Sequence, residues 1–166
     1  MTDVTPNAAN IDARAAVAQA WENLKPVQSR LRETSERFQA WINIDHPRQH
    51  NGTLDTAPHL IEGCKCALNV MAACMAVIDS YNVELKGLRN MMQPLDDRIN
   101  VDMKNGGDGS VLRQEADFVT GNQLSLNNEI NRQLGHLQHV TDLFNWFTHR
   151  FWTIYAPREV TIIRAC

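Results

Sequence analysis

Apolar side chains recur every three or four residues along most of this 166-residue chain, and that period is the helical one. From Ile11 to Ile44 it is carried by Val17, Trp21, Leu24, Leu31, Phe38 and Ile42, with Asn10 or Asp12 ahead of them as an N-cap. Pro26 predicts a kink, or a fresh start with the proline in a first turn. Beyond Leu24 the stripe narrows, and Arg30, Arg32, Glu33, Glu36 and Arg37 fill the other faces, as on a helix that packs on one side. Asp45 to Ala57 reads as a loop, since His46-Pro47, Asn51-Gly52 and Asp55-Thr56 are turn chemistry.

Pro58 then opens the longest expected helix, which Pro94 should stop after Met92. Ile61, Cys64, Leu68, Met71, Met75, Ile78, Asn82, Leu85 and Met92 fall on alternating steps of three and four, a seven-residue repeat of the coiled-coil kind. Ala67, Val70, Ala72, Ala73, Cys74, Ala76 and Val77 make its middle apolar on nearly every side, which predicts a surrounded, central helix. Leu95 to Lys104 reads as one more short helix. Gly106-Gly107-Asp108-Gly109 reads as a flexible connector, and Ser110 as the cap of a helix that Gly121 breaks or weakens. A last long helix spans Asn122 to Tyr155, with Leu126, Ile130, Leu134, Leu137, Thr141, Phe144, Phe151 and Ile154 in sequence, and Pro157 ends it. The β-branched tail Val160 to Ile163 is too short to make a sheet alone.

The expectation is an all-α fold: an elongated helical bundle with three long helices in coiled-coil-like packing and one or two short ones. Its parts are a flexible segment over 1–10, the bundle over 11–157 and a tail over 158–166. Composition agrees with one globular domain, at 43% apolar and 21% charged residues. The net charge of −3 supplies no positive field to attract nucleic acid or an anionic membrane. The ten N-terminal residues lack the basic start and apolar core of a signal peptide. The longest nearly apolar run, Ala67 to Ile78, is shorter than the roughly 20 residues of a membrane span. Cys64, Cys66 and Cys74 share one helix and diverge or lie far apart on it, so they and Cys166 read as reduced thiols of a cytoplasmic protein. Entry into a particle, or secretion without a signal, also fits this reading.

Candidate chemistry concentrates near the C-terminus. Six of the eleven aromatic residues lie between Phe144 and Tyr155: Phe144, Trp146, Phe147, Phe151, Trp152 and Tyr155. Phe144, Phe147, Phe151 and Tyr155 share one stripe, Trp152 lies at its edge, and Trp146 points to the opposite side, where a second helix, the tail or another chain must cover it. Trp146, Phe147, Phe151, Trp152 and Tyr155, with Met71 and Met75 on the seam, are the candidate interface. Amides near the apolar stripes (Gln28, Asn82, Gln123, Asn127, Gln133, Gln138) suit a protein whose register and partner are fixed by pairing. The reading is a non-enzymatic assembly or interaction protein, such as a structural component, adaptor or inhibitor of a larger bacterial or viral machine. It pairs with itself or another chain and needs no cofactor.

Two alternatives use the polar residues of the same helix. Arg132 and His139, in an Arg-x6-His spacing, fall within the loose pattern of HEPN-type ribonucleases, in which Arg132 would stabilise phosphate charge and His139 act as acid or base. His136 and His139 stand one turn apart and would grip a cation, but no third ligand has a defined spacing to them. His46, His50 and His59 precede Cys64 and Cys66 without the C-x-x-C of structural zinc. Dinucleotide, phosphate-loop and nucleophile-elbow motifs are absent.

Overall fold

The computed structural model describes residues 12–45 and 56–155, and nearly all of them are helical. Three long helices pack together: α1 (Ala13–Ala40), α2 (Ala57–Lys104) and α3 (Ser110–Tyr155). A single π-helical turn, Trp41–Asp45, extends α1. His46, His50 and the segment Val160 to Ile163 lie outside the described residues, as does Cys166.

The helix starts follow from their caps. Asp12 accepts the Ala15 amide on Oδ1 at 3.0 Å, so it is Asp12 and not Asn10 that opens α1. At the head of α2 the Thr56 carbonyl accepts the Leu60 amide at 3.0 Å, and Pro58 occupies the first turn, where its missing N–H is harmless. The turn between α2 and α3 is not the loose connector that its glycines suggested. Gly106 (φ 89°) and Gly109 (φ 66°) adopt left-handed backbone, and the Asp102 carbonyl accepts the Gly107 amide at 2.9 Å. Asp102 Oδ2 accepts the Gly109 amide at 3.0 Å. Asp108, rather than Ser110, supplies the cap: its Oδ1 accepts the Ser110 amide at 2.8 Å, and that bond holds its carboxyl below the usual carboxylate range.

Two expected breaks do not occur. α2 runs through Pro94 and absorbs the short helix assigned to Leu95–Lys104, while α3 runs through Gly121. A proline inside a helix costs about 3 kcal/mol. Leu95, fully buried, and Leu88 two turns before it give α2 an apolar face that is worth more when the helix continues. Pro26 likewise sits inside α1.

The chain divides into two compact units, the first over 1–25 with 80–130 and the second over 26–79 with 131–166. In the first, Val17 and Leu24 of α1, Tyr81, Leu85, Leu88 and Leu95 of α2, and Val119 and Leu126 of α3 form the core. The Trp21 indole donates to Asn122 Oδ1 at 2.9 Å and meets the Tyr81 ring edge-on at 6.4 Å. Arg14 lies 4.7 Å over the Phe118 ring.

In the second unit the core is Leu31, Phe38 and Trp41 against Leu60, Ala67, Val70, Cys74 and Val77 of α2 and Val140 and Phe147 of α3. Trp41 is its keystone. It stacks on the buried His59 at 4.7 Å and meets Phe147 edge-on at 5.3 Å. It fits because Gly63 has no side chain: a Cβ there would stand 2.7 Å from the Trp41 ring and 3.0 Å from Phe147.

The buried face of α2 corrects the expected seam. Buried positions are His59, Leu60, Gly63, Ala67, Val70, Ala73, Cys74, Val77, Tyr81, Leu85, Leu88 and Leu95; up to Tyr81 most of them run one residue ahead of the anticipated register, and of the expected seam Leu85 is the buried member. Ile61, Leu68 and Met75 are instead exposed, at 42%, 47% and 55%, and Cys64, Met71 and Ile78 are half-buried. α2 is therefore not a surrounded helix. By length and composition it is also long and apolar enough to cross a membrane, with a mean hydropathy of 1.6 over 18 residues, of which 33% are buried within the protein.

Candidate interaction surface

The C-terminal end of α3 separates the expected interface residues into two groups. Phe147, only 2% exposed, belongs to the core with Phe38 and Trp41, and it is not available to a partner. Trp146, Trp152 and Tyr155 are exposed at 44%, 57% and 40%. Phe151 is half-buried, with Trp152 edge-on at 5.7 Å and Tyr155 at 5.3 Å. Trp146 lies edge-on to Phe147 at 5.1 Å and, with Ile42 and Leu143, walls an apolar cleft of about 230 Å³. The helix period explains this split: Trp146 and Trp152 sit on opposite flanks of the buried stripe, so no single neighbouring helix covers both. Burying the exposed part of a tryptophan such as Trp152 gains on the order of 3 kcal/mol.

A second exposed apolar line follows α2. Ile61, Leu68 and Met75 recur every seven residues, and Lys65, Ala72 and Asp79, exposed as well, alternate with them. Met75, expected on the seam, is exposed, while Met71 is half-buried beside this line. The line as a whole was missed from the sequence because its apolar members were assigned to the seam. Only the two charges among them signalled a surface.

The polar candidates do not assemble into a reactive centre. Cys74 Sγ lies 3.7 Å from His136 Nδ1, but burial raises the thiol's pKa and burial lowers that of the imidazole, with the charges of His139 and Arg132 adding to the latter effect. Both partners are thereby held neutral, the reverse of an activated thiolate–imidazolium pair. Burial, helped by the neighbouring Glu62, also raises Cys66. His136 and His139 line a groove of about 250 Å³ with Ser35, Gln39 and Ile42. A larger groove of about 490 Å³ carries Arg37, Trp41, Glu62, Cys66 and Asn69. Among the described residues no three His, Cys, Asp or Glu side chains gather as a metal set would. Arg132 and His139 are exposed two turns apart on one side of α3.

Fold and surface together define the class: an all-α bundle with apolar side chains left on two of its helices. No known protein family matches the chain, and no match was found among curated proteins or solved structures.

Proposed function

We propose that this chain is a non-enzymatic helical interaction protein that works by assembling with itself or with a partner chain in a cytoplasmic setting. The observation that carries the reading is the pair Trp146 and Trp152, each near half exposed within seven residues of α3, with Tyr155 exposed one turn further on. Large aromatic side chains left at a surface are the usual anchors of protein interfaces. The outer line of α2 supports the same reading. A structural subunit, an adaptor or an inhibitor of a larger machine all use such surfaces.

The test is co-purification from the native host with mass determination, repeated with Trp152→Ala. A partner, or a mass above 18.8 kDa, that is lost in the variant supports the proposal. A monomer that retains nothing, and that Trp152→Ala leaves unchanged, sinks it. The ribonuclease alternative demands RNA cleavage that vanishes in His139→Ala, and an inactive wild type ends it.

A further inference from the structure

We propose that the outer line of α2 binds a second copy of the chain, antiparallel, about a two-fold axis at Ala72. This rests on the assembly reading above and names the partner. Lys65, Leu68, Ala72, Met75 and Asp79 follow one another at steps of three, four, three and four, and all are exposed. Reversed, the order is anion, apolar, small, apolar, cation, so the line is complementary to itself. An antiparallel pair centred on Ala72 sets Lys65 opposite Asp79 of the second copy, twice, and lays Leu68 beside its Met75. A parallel pair would oppose Lys65 to Lys65 and Asp79 to Asp79, so the charges also choose the orientation. Lys65 now has only a 3.9 Å contact with Glu62, exposed on both sides and therefore readily exchanged.

Ala72 at the crossing point lets two helices approach to about 8 Å. The line from Ile61 to Asp79 is about 27 Å long, and at a helix width of about 10 Å a pair buries roughly 540 Å² over both copies. That is the scale of a weak, concentration-dependent association rather than of a permanent dimer, with the paired charges setting its register. A bilayer is the rival occupant for so apolar a helix, but Lys65 and Asp79 would then lie unpaired against hydrocarbon.

Sedimentation equilibrium of the whole chain from about 1 to 200 μM, the range suited to an interface of this size, should show a mass rising from 18.8 kDa towards twice that value. Lys65→Asp and Asp79→Lys should each weaken dimerisation at least about tenfold, because each opposes like charges across the axis. The double variant Lys65→Asp with Asp79→Lys should return to within about threefold of wild type, a rescue that unfolding cannot imitate. Ala72→Cys should give a covalent dimer under mild oxidation where the wild type, with its own cysteines, does not. A monomer at every concentration overturns the proposal. So do single variants without effect, a double variant without rescue, or a monomer that co-sediments with phosphatidylserine vesicles. A monomer that still holds another protein through Trp152 overturns the dimer and leaves the assembly reading standing. A dimer indifferent to Trp152→Ala but dissolved by Ala72→Arg supports the dimer on its own.

Discussion

α2 carries two seven-residue lines one residue apart, and the contrast between them is informative. The inner line holds Leu60, Ala67 and Cys74 with Gly63, Val70 and Val77; the outer holds Ile61, Leu68 and Met75 with Lys65, Ala72 and Asp79. Composition separates them in part, since Val70 and Val77 stand on the inner line and Lys65 and Asp79 on the outer, although Ile61, Leu68 and Met75 are bulkier than Leu60, Ala67 and Cys74. Size acts with it. The inner line is small at Gly63, Ala67 and Cys74, so neighbouring helices and the Trp41 ring come close, and close packing yields more dispersion contact per residue than bulk held at a distance. The outer line keeps its bulk and adds two opposite charges, which is the composition of a face that meets another molecule.

The hardest test of that contrast exchanges one residue on each line for the same charge. Val70→Asp buries a carboxylate with no partner and should cost at least about 4 kcal/mol, enough to abolish a cooperative thermal transition by circular dichroism. Leu68→Asp, two residues away, should change stability by no more than about 0.5 kcal/mol and still remove self-association. Equal losses in the two variants would mean that the outer line is covered within the monomer.

A smaller separation is expected between tryptophans. Trp41→Ala removes a ring packed by Phe38, His59 and Phe147, at a cost of about 3–5 kcal/mol in urea unfolding. Trp152→Ala deletes a ring 57% exposed and should cost under about 1 kcal/mol in the isolated chain. If Trp152 proves as costly as Trp41, its ring is already packed within the protomer and the interface reading loses its anchor.

The number of the long helices was legible in the sequence because a three–four period survives any local detail. Their phase and their ends were not. In α2 both the 60/67/74 and 61/68/75 series are apolar, so periodicity fixed the helix without fixing its inward face. Pro94 and Gly121 are local signals, and each was overruled by a buried leucine just beyond it, Leu95 and Leu126. Trp41 carried a readable clue, three residues after Phe38, but lay too near a turn-rich segment to be assigned to the core. At the surface, Trp146 and Trp152 were readable from the wheel, whereas Phe147 looked equally interfacial until the Gly63 gap gave it a home.

The mildest prediction concerns pH and the inner line at Cys74. His136 beside it is held neutral, chiefly by burial and then by His139 and Arg132, so its folded pKa lies below the ordinary 6.5. Above that value both folded and unfolded chains carry it neutral, and its contribution to stability is complete. As pH falls through 6.5 the unfolded chain takes the proton first, so stability declines until the folded pKa is passed. The groups facing the ring add to the decline, because Cys74 is an uncharged thiol 3.7 Å away and the charges of His139 and Arg132 also disfavour the imidazolium. The midpoint of thermal unfolding should therefore drop on acidification from about pH 7.5 to 5.5, and His136→Gln should flatten that slope. The His136 ring proton should titrate below 6.5 by NMR. A midpoint above that value would mean the imidazole is charged in the fold, and the small-residue side of α2 would then not be the dry face described.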